Sequence, residues 1–296
     1  MLEKLTTEAR NQSTMNLDQL STIDILRKMN EEDESVSRII KDQLSEIDKS
    51  VNLAIESFNQ GGRLIYIGAG TSGRLGILDA VECVPTFGSP KEMVQGIIAG
   101  GLKAFTEAVE GAEDSFKAGQ MDLEDIKITE KDTVIGIAAS GRTPYVIGAL
   151  KYANTKKSKT VSISCNKGAK MSEYADVGIE LETGPEILTG STRLKAGTAQ
   201  KMVLNMISTT AMVGIGKVYQ NLMVDLKPTN QKLEERSKRI IMEATDVDYD
   251  TANRFYQASN HQVKTAIVMI LLNCSKEEAE KKIEKSNGFV RSALSN

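Results

Sequence analysis

Apolar residues recur three and four apart at Ile40, Leu44, Ile47, Val51, Ile55 and Phe58, with charged and polar residues between them. That period predicts an amphipathic helix, capped at its start by Ser35 and stopped by Gly61-Gly62. The pattern then shortens. Apolar runs at Leu64 to Ile67, Met93 to Ala99, Thr133 to Ile137, Thr160 to Cys165 and Val177 to Leu181 read as strands. Helices are predicted between them, at Pro144 to Ala153, and after them, at about Leu194 to Val218. Strands that alternate with helices imply a parallel sheet covered on both faces. From about Asn230 onward the strand signal ceases and three helices fit: Asp250 to Ser259, Gln262 to Asn273 and Lys276 to Ser286. Ser275 and Glu278 form a capping box for the last, and Gly288 suits its stop. The expected fold is α/β, a doubly wound parallel sheet with flanking helices plus a small C-terminal helical bundle. Its expected divisions are 1–60, 61–228 and 229–296.

Composition narrows the partners. At 296 residues and 40% hydrophobic content the chain can bury a substantial core, and its net charge of −3 comes with no basic block. That leaves no electrostatic footprint for nucleic acid, so any bound anion is held by local geometry. The longest apolar run, Ala266 to Leu272, is too short to cross a bilayer. The polar start Met1-Leu-Glu-Lys lacks the hydrophobic core of a signal peptide, and a cytoplasmic location is expected. Cys83, Cys165 and Cys274 are an odd count without metal spacing, so unbridged thiols are expected. His261 is the single histidine, which excludes chemistry built on several imidazoles.

The candidate chemistry lies where strands meet helices. In Arg63-Leu-Ile-Tyr-Ile-Gly-Ala-Gly-Thr-Ser-Gly-Arg-Leu-Gly76 an apolar strand runs into glycines and hydroxyls that open a helix. Glycines let backbone approach a ligand, and the first N–H groups of the helix point at whatever anion sits there. Gly68, Gly70 and Gly73 also fit the G-x-G-x-x-G dinucleotide pattern. The next strand, however, ends in Gly100-Gly101 without the ribose-binding carboxylate, whereas Thr71 and Ser72 suit a terminal phosphate. The same device recurs in Thr133-Val-Ile-Gly-Ile-Ala-Ala-Ser-Gly-Arg-Thr-Pro-Tyr145, with Ser140 and Thr143 at the mouth of a helix that Pro144 begins. Leu188-Thr-Gly-Ser-Thr-Arg-Leu-Lys195 is a third instance. Helix capping accounts for any one of these serines; three such loops at the carboxyl edge of one sheet point to a shared phosphate site.

Carboxylates supply the second half of a chemistry. Leu75, Leu78 and Glu82 fall on one helical face, which sets an acid on an apolar stripe, and partial burial there would raise its pKa and make it a proton donor. In Gly100 to Ser115 helical spacing groups Glu113 with Phe105, Val109 and Phe116, while Glu107, Glu110 and Asp114 share a more polar face. Glu186 is a further acid that could face a ligand. Arg74, Arg142 and Arg193 could pair with substrate anions or with neighbouring acids, and both readings stay open.

Several of these segments together resemble one family. They are Gly68 to Gly76, Asp79 to Phe87, Val109 to Asp114, Ala138 to Pro144 and Thr189 to Lys201, with Leu5 to Asn11, Asn221 to Asp225 and Lys264 to Met269 extending the match. They resemble the N-acetylmuramic acid 6-phosphate etherases. The resemblance implies a sugar isomerase (SIS) fold and a homodimer with sites at or near the subunit interface. It implies cleavage of the lactyl ether at C3 of N-acetylmuramic acid 6-phosphate to N-acetylglucosamine 6-phosphate and D-lactate, in bacterial recycling of cell-wall sugar. The family's acid motif falls on Glu82 and its second catalytic glutamate on Glu113. Such a carbon–oxygen lyase needs a base at C2 and an acid at the departing oxygen, and no metal or redox cofactor. The 6-phosphate is expected on Ser72, Ser140 and Thr143, supported by Gly70, Gly73 and Gly141 and with Thr71 in the same substrate site; Ser191, Thr192 and Lys195 are expected to close over the sugar, with helix capping the other reading of Ser191 and Thr192. Two rival readings are an aldose-ketose isomerase of the same fold, which would release no lactate, and a non-catalytic sugar-phosphate sensor similar to the glucokinase regulator.

Overall fold

Five of the apolar runs become parallel strands in the computed structural model, which describes residues 5–107, 109–226, 228 and 230–295. They are β1 (Leu64–Gly68), β2 (Val94–Ile98), β3 (Thr133–Ile137), β4 (Lys159–Ser164) and β5 (Val177–Glu180), joined in the order β2-β1-β3-β4-β5. Every pair is parallel, in registers such as Ile65↔Gln95 and Ile65↔Val134. β1 and β3 are buried throughout, as expected of strands covered on both faces. The polar start Met1 to Lys4 and residues Ala108, Lys227, Thr229 and Asn296 lie outside the described residues.

Helices cover the sheet according to strand parity. α7 (Pro144–Thr155) packs on β1, β3 and β4, where Ile65, Ile67 and Val134 join Val146, Ile147 and Leu150 in one core; α6 (Phe116–Asp125) packs against α7. Alternate residues point the other way. Tyr66 faces Gly76 of α4 (Gly70–Phe87), and Thr133 Oγ1 meets Ser57 Oγ of α3 (Leu44–Asn59) at 2.7 Å. α1 (Thr22–Asp33), α2 (Val36–Lys41), α5 (Lys103–Thr106) and α8 (Lys195–Gly214) complete this part of the chain.

Two stretches depart from the sequence expectation. The continuous period from Ile40 to Phe58 is carried by two helices, because the chain turns at Asp42-Gln43 and Gln43 Oε1 accepts the Glu180 N–H of β5 at 3.2 Å. Ser35 does not cap with its side chain; its hydroxyl donates to Glu32 O at 2.7 Å. Gly100 to Ser115 is not one helix either. After α5 the backbone extends at Glu107 and turns left-handed at Gly111, and Glu113 sits on a 3₁₀ turn, Ala112–Asp114. Helical spacing therefore does not apply there, and Phe105, Val109 and Phe116 are all partly exposed.

The chain forms two compact units, residues 1–81 with 92–208 and residues 82–91 with 209–296, so the division runs within α4 and α8. Beyond α8 the second unit holds a short hairpin, β6 (Val218–Tyr219) and β7 (Leu222–Met223), in place of the expected end of a longer helix. It continues with α9 (Gln231–Thr245), α10 (Tyr249–Ala258), α11 (Val263–Leu272), α12 (Lys276–Lys285) and α13 (Val290–Ser295). The three helices expected here are α10 to α12; α9 and α13 are additional. Their apolar faces share one core that includes Ile241, Tyr256 and Ile267, and the Ser275–Glu278 capping box is formed. His261 contacts Gln257 Oε1 through Nε2 at 2.9 Å, with its ring 4.9 Å from that of Tyr256. No helix among the described residues is long and apolar enough to cross a membrane.

The amino edge of the sheet is locked by Asp132, which is 1% exposed. It accepts from Arg63 N, Nε and Nη2 at 2.8 to 3.0 Å and from Thr129 N at 2.8 Å. Burial works against its charge, but these donors prevail and hold its carboxyl below the usual aspartate range. A folded value below the unfolded one gives stability that is present above about pH 3.9 and lost as pH falls through the folded value. Asp132→Ala is expected to cost roughly 2–4 kcal/mol at pH 7, somewhat under a fully buried pair because Arg63 keeps some solvent contact. Urea unfolding at pH 7 and pH 3 is the check: the deficit should shrink in acid, and a loss below about 1 kcal/mol at pH 7 would contradict it.

Candidate functional site

β1 and β3 are neighbours whose connections leave in opposite directions, β1 through α4 toward β2 and β3 through α7 toward β4. The crevice outside their carboxyl ends is where open α/β sheets bind ligands. A cavity of about 390 Å³ lies there. Ala69, Gly70, Thr71 and Ser72 line it from the start of α4, and Ala138, Ala139, Ser140, Arg142, Thr143 and Pro144 from the start of α7. Glu113, Asp114 and Thr192 complete the wall with Leu5 and Glu8 from the N-terminal segment.

Close packing fixes both loops. A Cβ on Gly73 would meet Ile98 Cγ1 at 2.6 Å and Gly68 O at 2.7 Å, so glycine lets the first turn of α4 seat against β1 and β2. Gly141 has φ +66°, and a Cβ there would lie 2.5 Å from that of Ala169. Ala169 is held in turn by Glu180, which accepts from Gly168 N, Ala169 N and Ser172 Oγ at 2.8 to 3.0 Å. Asn166 donates to Ala139 O at 3.0 Å and accepts from Thr6 N at 2.8 Å, which ties the N-terminal segment to the loop after β3. Behind α4, Asp79 accepts from Tyr66 OH, Asn205 Nδ2 and Ser208 Oγ, joining β1, α4 and α8. Burial raises its pKa against those hydrogen bonds.

The hydroxyls are not spent on caps. Thr143 is the N-cap of α7, yet its side chain makes no capping bond. Ser140 Oγ accepts from Arg142 N at 3.2 Å. Ser72 Oγ donates to Gln200 Oε1 at 2.9 Å, while Gln200 Nε2 is buried without a partner. With the amide turned over, Nε2 can donate to Ser72 and release the hydroxyl hydrogen toward the cavity. Arg142 Nε is also buried without a partner, and among the described residues Arg142 makes no ion pair. A buried donor left without an acceptor costs about 1–3 kcal/mol.

Other residues singled out in the sequence are placed differently. Gly73 and Gly141 lie beneath the wall rather than on it. Ser191 and Lys195 do not line this cavity; Lys195 is buried and ion-paired with Glu32 of α1. Burial opposes the charge of Glu32, but hydrogen bonds led by Lys195 hold its pKa down. Glu186 lines neither this cavity nor the adjoining one; its oxygens accept from Lys195 N and Ala196 N and cap α8, and burial raises its pKa. Arg74 donates to Phe105 O and Glu107 O at 3.0 and 3.1 Å, bracing the segment before Glu113. Glu113 is exposed and also lines an adjoining cavity of about 200 Å³. Glu82 belongs to the second unit, lines neither cavity and is exposed, so the burial expected of it is absent from the single chain. Sequence reasoning missed the parts of Glu8, Asn166 and Gln200; the Leu5 to Asn11 segment, already among the family-like stretches, was the available signal for Glu8.

Comparison with known proteins agrees with this architecture. Residues 46–154 match the glucokinase regulatory protein N-terminal SIS domain and residues 103–210 the SIS domain. A phosphoheptose isomerase from Francisella tularensis shares the fold, with a TM-score of 0.51 over 65% of this chain and 98% of that one at 13% identity. The N-acetylmuramic acid 6-phosphate etherase of Geobacillus sp. (strain WCH70) is 67% identical over 99% of this chain and 100% of its own length. That of Shouchella clausii (strain KSM-K16) is 66% identical over 99% of both chains. On full-length matches at that identity, the chain belongs to the N-acetylmuramic acid 6-phosphate etherase family.

Proposed function

We propose that this chain cleaves the D-lactyl ether of N-acetylmuramic acid 6-phosphate by elimination across C2–C3 and hydration at C3, giving N-acetylglucosamine 6-phosphate and D-lactate. The observation that carries the reading is the cavity at the β1/β3 crevice, where the hydroxyls and helix starts of two loops meet a carboxylate, Glu113, on the same wall. Unpaired N–H groups at the starts of α4 and α7, with Ser72, Ser140 and Thr143, take the 6-phosphate. Gly70 and Thr71 lie beside it, and Gly73 and Gly141 keep the backbone close. Thr192 reaches the sugar from the third loop. Anchoring the phosphate turns remote binding energy into orientation of the reacting carbons.

An ether oxygen leaves poorly, and elimination makes it possible. In the open-chain sugar the C1 aldehyde acidifies the C2 proton. Glu113 removes that proton; Glu82, which lines neither cavity in the single chain and meets the sugar only in the assembled dimer, protonates the departing lactate oxygen; and water adds to C3 of the unsaturated aldehyde. Each proton transfer is worth about 10²–10⁴-fold. An acid and a base working together need environments that separate their pKa values. Glu82 is exposed in the single chain, next to Leu78 and Val81, which are 48% and 60% exposed. An apolar face of this kind beside an acid supports a homodimer in which a second copy covers the stripe and desolvates Glu82. The setting is the cytoplasm, in recycling of cell-wall amino sugar, with residues 61–228 as the sugar-phosphate-binding part and 1–60 and 229–296 flanking it.

Glu113→Gln should abolish exchange of the C2 proton of N-acetylglucosamine 6-phosphate with D₂O, followed by NMR, and slow lactate release by about 10²–10⁴-fold. Glu82→Gln should slow lactate release while sparing C2 exchange. Normal lactate turnover in either variant would contradict its assignment. Leu78→Asp with Val81→Asp should give a monomer by sedimentation velocity that no longer releases lactate; an active dimer would contradict the covered stripe.

A further inference from the structure

Among the described residues Arg142 is the one cation lining the crevice cavity, whose wall also holds three acids, Glu8, Glu113 and Asp114, and it makes an ion pair with none of them. Its backbone is set on both sides: Gly141 holds the left-handed turn before it, and Ser140 Oγ accepts its N–H. Its Nε is buried without an acceptor. That nitrogen belongs to the edge of the guanidinium that grips a carboxylate with two parallel hydrogen bonds.

The 6-phosphate does not require this cation. Two helix starts and the hydroxyls of Ser72, Ser140 and Thr143 already offer it neutral donors. The substrate of the proposed reaction carries a second anion, the carboxylate of its lactyl group, and a cavity walled by three acids repels it unless a cation answers. We propose that Arg142 is the receptor for the lactyl carboxylate, and so the residue that selects the ether substrate over a sugar phosphate without one. The assignment rests on the etherase reading above. Arg142 orients the leaving group and takes no proton; the carboxylate it holds departs with D-lactate.

Calorimetric binding tests it with the intact chain. In the wild type, an N-acetylmuramic acid 6-phosphate analogue whose carboxylate is converted to the neutral amide should bind at least about tenfold more weakly than the substrate-like acid. Equal binding overturns the proposal without any variant. Arg142→Gln should weaken the acid at least about tenfold while changing affinity for N-acetylglucosamine 6-phosphate less than about threefold, and Arg142→Lys should recover part of the loss. Equal weakening of both ligands would assign Arg142 to the phosphate and overturn the proposal, as would no change in either. Thermal melting of each variant separates misfolding from lost binding. Lactate release by the wild type is measured alongside: its absence sinks the etherase reading, whereas its presence with an indifferent Arg142 sinks only this assignment.

Discussion

Unpaired N–H groups at the start of a helix are a cost until something accepts their hydrogen bonds. This chain places two such starts side by side. Because β1 and β3 are neighbours and send their connections in opposite directions, α4 and α7 begin on either side of one crevice. Their orphan donors, the hydroxyls of Ser72, Ser140 and Thr143, and the absence of side-chain capping at Thr143 all leave an anion to be supplied from outside. The rest of the first unit reads as support for that juxtaposition. Glu180 holds Ala169 under Gly141, Asn166 ties the N-terminal segment to the loop after β3, and Asp79 fastens α4 to β1 and α8.

The same frame separates two kinds of polar residue. Asp132, Glu180 and Glu186 are satisfied by backbone and side-chain donors, so they hold structure. Arg142 Nε, on a residue of the crevice wall, is buried without a partner, and so are Thr183 Oγ1, Gln200 Nε2 and Tyr256 OH on residues that do not line it. An unsatisfied group is tolerated where a ligand completes it, so the place of Arg142 on the cavity wall, and not the missing partner alone, singles it out.

Much of this was legible in the sequence. Short apolar runs ending in glycines and hydroxyls marked the strands and the two cradle loops, because strand period and loop chemistry are local properties. What stayed hidden depended on distant partners. The helical period through Ile40 to Phe58 gives no hint that Gln43 will leave it to bond β5. Spacing in Gly100 to Ser115 suggested a helical stripe, but Gly111 turns the backbone left-handed and puts Glu113 on a separate 3₁₀ turn. Lys195 looked available to a sugar until Glu32 of a distant helix paired with it, and Glu186 looked free until its oxygens capped α8. Glu82 is the reverse case: its motif is specific, but the single chain leaves it exposed.

In the proposed reaction the phosphate end of the sugar is fixed and bonds change at C2 and C3: the bond from the sugar carbon to the ether oxygen breaks, and water replaces it on the sugar. Turnover of N-acetylmuramic acid 6-phosphate in ¹⁸O-labelled water, with mass spectrometry of both products, tests this directly. Elimination and hydration give D-lactate without label and N-acetylglucosamine 6-phosphate labelled at C3; label in the lactate and none at C3 would contradict that course.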